Sequence, residues 1–344
     1  MTTLHHRRTR RLRASTALVF TAAALAAGAA QAKPLQVYLT GSAADVTPAL
    51  HGPAFDLAGG STDVDEAFQQ TIDRIRGCTG STCAAKIDIV VLRSSGADGY
   101  NDYLYAMNGV DSVETIIVSR LSDASDPAIV QRVANAEFVF FAGGDQCDYV
   151  TYFKGTPIAT AVASVYARRG AVGGTSAGLA IQGEYSYDAC RSPFGVTSEA
   201  ALTNPYDKEI TFTFDFLRWP LLARVITDSH FVARDRMGRL MTFLARQLAD
   251  GVTNEAWGLG VNEGTSLLVD AAGNATVVGD GPVYVVLADH SPITCAPKQP
   301  LRYTGYKLWK YSAGETFSLA EAGRPRNGFY TVDAADGALS ANPY

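Results

Sequence analysis

Histidine is scarce in this 344-residue chain: there are five, and His5 and His6 fall in the arginine-rich start, which leaves His51, His230 and His290. Any nucleophile that needs an imidazole base therefore has three to draw on. No C-x-x-C pair and no histidine cluster with ligand spacing occurs, so neither zinc nor any other metal or cofactor is expected. After residue 32 no apolar run approaches the roughly 20 residues of a membrane span. Basic residues are also few. With the five arginines of residues 1–32 set aside, 24 Lys and Arg face 34 Asp and Glu, a net charge of −10. An acidic chain argues against nucleic acid as partner and is compatible with a cationic substrate.

What is present begins with Arg7, Arg8, Arg10, Arg11 and Arg13, then the apolar run Ala17 to Ala27, then Ala30-Gln31-Ala32 as a small-residue cleavage site. This reads as a secretory signal peptide over residues 1–32, with the Sec route ranked above the twin-arginine route. Residues 33–344 are then expected as one domain, β-rich from about residue 257, secreted or periplasmic and free of the membrane after cleavage. In an oxidising compartment the five cysteines should pair where they can. Cys78 and Cys83 are close enough to close a small loop. Cys147 and Cys190 both follow segments placed at one edge of the sheet and are paired on that ground, which leaves Cys295 as the odd thiol.

Apolar runs alternate with amphipathic stretches. Strands are expected at 35–39, 87–92, 115–118 and 138–141 and from Ala171 into the turn at 173–178, and helices at 63–76, near 100–107, after Asp126-Pro127, at 157–169 and at 234–248. The alternation implies a parallel sheet covered on both faces, with ligands beyond the carboxyl ends of its strands. Residues 197–216 read as a β-rich or irregular excursion, and 225–227 as a return to the sheet. Period-two segments from Trp257 onward suggest antiparallel hairpins, and the stretch after Tyr303 irregular trimming.

Within that frame Gly174-Thr175-Ser176-Ala177-Gly178 fits G-x-S-x-G, a strained strand-to-helix turn that holds a serine out at the end of a strand. The plain alternative is a glycine-rich turn with an N-cap serine. Ser176 is the candidate nucleophile, with the amides of Ala177 and Gly144 as oxyanion donors. His230 is the best placed base, because Thr227-Asp228-Ser229-His230 ends a predicted strand just before a helix. Asp228, Glu184, Asp188 and Glu263 are the open choices for the acid that would orient it. In Gly143-Gly144-Asp145-Gln146, Gln146 could hydrogen-bond a substrate amide while Asp145 caps a helix. Arg234, Arg236 and Arg239 crowd a helix start where the dipole disfavours cations, so a bound carboxylate would compensate, solvated arginines being the alternative.

Taken together, Phe141-Ala142-Gly143-Gly144-Asp145-Gln146, the elbow, Asp228-x-His230-Phe231-x-x-Arg234-x-Arg236-x-x-Arg239-Leu240 and Gly258-x-Gly260-x-x-Glu263 resemble, in order and rough spacing, the motifs of cyanophycinases and their peptidase E relatives. The resemblance spans about residues 35–287. It implies a flavodoxin-like α/β/α sandwich related to class I glutamine amidotransferases, with C-terminal antiparallel hairpins. It further implies Ser176 as nucleophile, His230 as base and Glu263 as acid, with Gln146, Asp228 and the three arginines in the substrate pocket. Such an enzyme would cleave cyanophycin, an arginine-decorated polyaspartate, to β-Asp-Arg dipeptides through an acyl-enzyme. The other readings are an exopeptidase on aspartyl or isoaspartyl peptides, and a catalytically silent carboxylate-binding protein of the same fold. The partner expected is thus a peptide, and a homodimer is left open. Two positions depart from the pattern: Ser229 stands where the family resembles glutamine, and Asn262 where it often has aspartate.

Overall fold

The computed structural model describes residues 1–3, 35–192 and 194–344, so the signal-peptide reading of residues 1–32 lies, save Met1–Thr3, outside the described residues. The strands and helices of the described residues belong to the unit Leu35–Tyr344. Its first half runs β1 (Gln36–Gly41), β2 (Ala54–Ala58), α1 (Asp65–Arg76), β3 (Ile87–Arg93), α2 (Asn101–Tyr105), β4 (Val110–Ile117), α3 (Pro127–Asn135), β5 (Phe138–Phe141), α4 (Gln146–Phe153), α5 (Pro157–Ala167), β6 (Ala171–Thr175) and α6 (Ala177–Ala180). Then come β7 (Tyr185–Tyr187), α7 (Ser198–Thr203), β8 (Phe212–Phe214), β9 (Val225–Asp228), α8 (Met237–Ala249) and β10 (Ala256–Val261). The remainder is β11 (Thr265–Val269), β12 (Asn274–Gly279), β13 (Val283–Ala288), β14 (Tyr303–Tyr311), β15 (Thr316–Ser318), β16 (Tyr330–Ala335) and β17 (Ala338–Leu339).

Local chemistry sets several of these boundaries. In α1, Asp65 and Glu66 occupy the first turn and Arg74 and Arg76 the last, matching the helix dipole, and Gly77 closes it in the left-handed conformation. In α3, the Asp126 carboxylate accepts from the Ala128 and Ile129 N–H groups, and Pro127 takes a first-turn place where its missing N–H costs nothing.

Among the described residues the strands form two sheets. The first has the order β1-β4-β3-β5-β6-β2-β11-β12-β15. Its centre, β4-β3-β5-β6-β2, is parallel throughout, with antiparallel strands on either flank. This is the flavodoxin-like α/β arrangement with added antiparallel strands. One face packs Phe68, Ile72 and Ile75 of α1 and Leu104 of α2 over Ile89, Val91, Phe138 and Phe140. The opposite face, with Leu57, Leu92, Phe141 and Val172, shares a continuous core with α3, α5 and one face of the second sheet through Val225, Trp257, Leu259 and Val285. The second sheet has the order β17-β16-β14-β13-β10-β9-β7-β8, and its other face is covered by Met237, Leu240, Met241 and Leu244 of α8 and by α7.

Four local readings are corrected. β9 belongs to the second sheet, parallel to β10, rather than returning to the first. Residues 197–216 hold the expected strand, β8, and irregular backbone but begin with a helix, α7, capped by the Thr197 hydroxyl. The stretch after Tyr303 is regular: β14 and β16 pair antiparallel and bury Tyr303, Tyr306 and Leu308. Finally β2, absent from the expected strands, is a central strand paired with β6 and β11.

Cys78 is bridged to Cys83 and Cys147 to Cys190, while Cys295 is free. The two bridges span separations of 5 and 43 residues. Loop-closure entropy then assigns about 2 kcal/mol to the first and about 4 kcal/mol to the second. Chemical denaturation should accordingly show Cys147→Ser/Cys190→Ser losing more stability than Cys78→Ser/Cys83→Ser. Equal losses would mean that chain entropy does not govern either bridge.

Candidate active site

β6 ends at Thr175, and the chain turns into α6 through Ser176, which holds a left-handed φ of 55°. A side chain at such an angle is uncommon and costs on the order of 1 kcal/mol or more. The turn closes because Gly178 lies against the Phe141 carbonyl, where a Cβ would stand 2.0 Å from the oxygen. His230 is strained in the same sense, at φ 47°. Both residues are tied to the end of β2: the Ser176 N–H donates to the Ala58 carbonyl (3.3 Å) and the His230 N–H to the Gly59 carbonyl (2.7 Å). Gly60, at φ 100°, lies under the imidazole, and a Cβ there would come within 2.5 Å of His230 Cε1.

Register brings Glu263 to His230. β9 and β10 run parallel with Asp228 opposite Gly260, so His230, two residues past the first, and Glu263, three past the second, emerge side by side. His230 Nδ1–H donates to Glu263 Oε1 at 2.6 Å, and the Ser176 hydroxyl donates to His230 Nε2 at 2.8 Å. Asn262 Oδ1 accepts from the Val232 N–H (3.1 Å), which holds the loop carrying His230. Burial pushes the His230 pKa below its ordinary 6.5. The Glu263 hydrogen bond opposes that, and the charges of Arg234 and Arg236 add to it. His230 is thus neutral at neutral pH, with Nε2 free to accept a proton.

A pocket opens in front of Ser176, lined by Gly144, Gln146, Ala177, Ser229, Arg234, Arg236 and Arg239 among others. The Gly144 and Ala177 amides take no part in the hydrogen bonds of the described residues. Asp145 caps α4, its carboxylate accepting from the Cys147 N–H. Gln146 reaches toward the Tyr187 carbonyl at 3.4 Å.

The arginines do not behave alike. Asp228 is buried and takes Arg239 in a two-pronged pair, Nε to Oδ2 at 2.8 Å and Nη2 to Oδ1 at 2.5 Å. Arg236 lies 3.3 Å from the same carboxylate and donates to the Ser229 carbonyl at 2.9 Å. Burial lowers its pKa to about 10. Arg234 is exposed, and among the described residues its guanidinium has no hydrogen-bond or ion-pair partner. Both Arg234 and Arg236 precede α8, which starts at Met237 rather than at Arg234. Asp228 thus faces the arginines rather than His230. Of the other carboxylates weighed as acid, Glu184 accepts from the Arg224 N–H and Asp188 from Thr213 and the Cys190 N–H. His290 stacks on Tyr303 and His51 packs beside Gly77, each in hydrogen bonds or contacts of its own.

Sequence reasoning missed Gly59 and Gly60, for which the only signal was a pair of glycines closing the short stretch Ala54–Ala58. It also missed Tyr344, whose hydroxyl accepts from the Met237 N–H (3.0 Å) and donates to Asp235 (2.8 Å), fixing the segment that carries the arginines.

No family model matches the chain. It is similar to the cyanophycinase of Synechococcus elongatus, 27% identical over 179 residues, or 52% of this chain and 50% of that one, so the match spans half that relative's length. It is also similar to the cyanophycinase of Nostoc sp., 24% identical over 255 residues, covering 71% of this chain and 80% of that one. Among solved structures it shares its fold with a peptidase from an acI-B1 Actinobacterium, at TM-score 0.50 and 16% identity over 79% of this chain and 98% of the other.

An NMR titration should place the His230 midpoint below 6.5. It should fall further in Glu263→Gln, which removes the bond favouring the imidazolium, and rise in Arg234→Gln, which removes a like charge. A midpoint at or above 6.5 would contradict the burial argument. In stability, Arg239→Ala should cost about 3 kcal/mol by leaving the buried Asp228 only the longer 3.3 Å contact with Arg236, whereas Arg234→Ala should stay within about 0.5 kcal/mol. Urea unfolding of the two variants checks this.

Proposed function

We propose that this chain, a relative of the cyanophycinase and peptidase E family, is a serine peptidase that cleaves aspartate-based peptides, cyanophycin foremost. The observation that carries the reading is the hydrogen-bonded chain from Ser176 through His230 to Glu263, at 2.8 and 2.6 Å. The similarity to proteins named cyanophycinase supports a peptidase.

In this reading the substrate's carboxylates approach Arg234 and the outer side of Arg236, while Asp228 offsets the charge of Arg239 beneath them. Ser176 Oγ attacks the scissile carbonyl as His230 Nε2 takes its proton. The oxyanion forms toward the Gly144 and Ala177 amides, and Glu263 stabilises the imidazolium through Nδ1. Collapse breaks the C–N bond, with the proton passing from His230 to the leaving amine. Water, deprotonated in turn by His230, then frees the acyl group from Ser176 and restores the serine. Secretion, read from residues 1–32, fits the two disulfides.

Purified protein assayed on cyanophycin beside a panel of aspartyl and isoaspartyl dipeptides tests the substrate. Preference for the dipeptides would favour a peptidase E-like exopeptidase instead. Ser176→Ala, His230→Ala and the double variant should each lose a similar, very large part of kcat, since residues acting as a unit are not additive. An active-site serine probe that fails to label Ser176 would point to a binding protein of the same fold.

A further inference from the structure

Phe194 is 93% exposed, yet it lines the same pocket as Ser176. Exposing a whole aromatic ring forgoes a large burial gain, and nothing in the folded chain profits from it. The backbone on both sides is nonetheless anchored with care. On one side Cys190 is bridged to Cys147, the residue after Gln146, and the Ser192 hydroxyl donates to Glu209 at 2.7 Å. On the other, the Val196 N–H donates to the Tyr187 hydroxyl (2.8 Å) and the Val196 carbonyl accepts from Arg239 (3.2 Å). Ring and anchors together present an apolar face at the pocket rim.

The pocket's charge says what that face receives. Arg234, Arg236 and Arg239 line the pocket, with the single carboxylate of Asp228 against the last two, and the one carboxylate among the lining residues, Asp145, already caps α4. A cationic side chain of the substrate is therefore repelled from the interior while its carboxylate is drawn in. It needs an uncharged seat at the rim, and a ring face attracts a flat, weakly hydrated guanidinium. Resting on the reading of an arginine-bearing aspartate substrate, we infer that Phe194 is a specificity-determining residue, its ring seating the substrate's guanidinium at the mouth of the Ser176 pocket.

The test uses two synthetic aspartate trimers, one with arginine and one with alanine on each β-carboxyl, as substrates of the full chain. Phe194→Ala should lower kcat/KM on the arginine trimer about 5- to 20-fold, through KM, with kcat within about 2-fold. On the alanine trimer kcat/KM should stay within about 2-fold. Phe194→Trp should keep the preference for arginine, and the thermal midpoint of both variants should match that of the parent, because the residue is almost wholly exposed. An unchanged arginine preference in Phe194→Ala, or an equal loss on both trimers, overturns the inference and leaves the peptidase reading standing. Failure of the parent chain to cleave either trimer or any aspartyl dipeptide overturns both.

Discussion

The site depends on one short piece of backbone, the end of β2 from Ala58 to Gly60. Ala58 pairs with Thr175 of β6 on one side and with Ser266 of β11 on the other, so the strand links the Ser176 turn to the connection between β10 and β11 that carries Glu263. Beyond the strand its carbonyls go on accepting, from Ser176 at Ala58, from His230 at Gly59 and from Gly264 at Gly60. Serine, histidine and glutamate come from three separate strands and two sheets. Their separation is nevertheless fixed by bonds to three consecutive residues. Two strained side-chain positions, Ser176 and His230, are held in place by the same contacts. That is the condition under which such strain persists in a fold.

Much of this was legible in the residues, and the parts that were not share a cause. The elbow could be read because glycines at fixed offsets demand a particular backbone, and α1 and α3 because caps and charges mark their ends. β2 escaped because Asp56 interrupts its apolar run, a carboxylate that is fully buried against Gly173 of β6. The division into two sheets escaped for a different reason. Period-two alternation reports that a segment is a strand with a buried face, and says nothing of its neighbours. Val225–Asp228 reads the same whether it lies beside β6 or beside β10. The stretch after Tyr303 was misjudged because its aromatic residues, Tyr303, Tyr306 and Trp309, are spaced by a bulge between Tyr303 and Tyr306 that breaks the alternation.

The pairing of Asp228 with Arg239 was equally hidden, since it joins a strand end to the first turn of a helix 11 residues on. It changes what the arginines mean. Three guanidinium groups at a helix start call for an anion, and one is supplied from inside the fold, by the residue that ends β9. Arg239 is then part of the floor, and the cationic character left for a ligand belongs to Arg234 and the accessible side of Arg236.

That residual charge bears on the chemistry as well as on binding. Arg234 and Arg236 disfavour protonation of His230 in the resting site, as does burial, and so keep Nε2 available as an acceptor. The same forces would oppose the imidazolium once it formed, and a base that cannot hold its proton is of no use to the leaving group. Glu263 answers this only in part: it is partly exposed, and its bond to Nδ1 raises the affinity of His230 for a proton without overcoming the burial. The remaining compensation has to come from the substrate. In the proposed reaction, carboxylates entering beside Arg234 and Arg236 neutralise the two charges that weigh on His230, so binding an acidic substrate also raises the basicity of the group that must take the serine proton. A neutral peptide would leave those charges unopposed. Selectivity for aspartate-based substrates would then be expressed in the chemical step as well as in affinity, with the arginines acting on His230 through the ligand they hold.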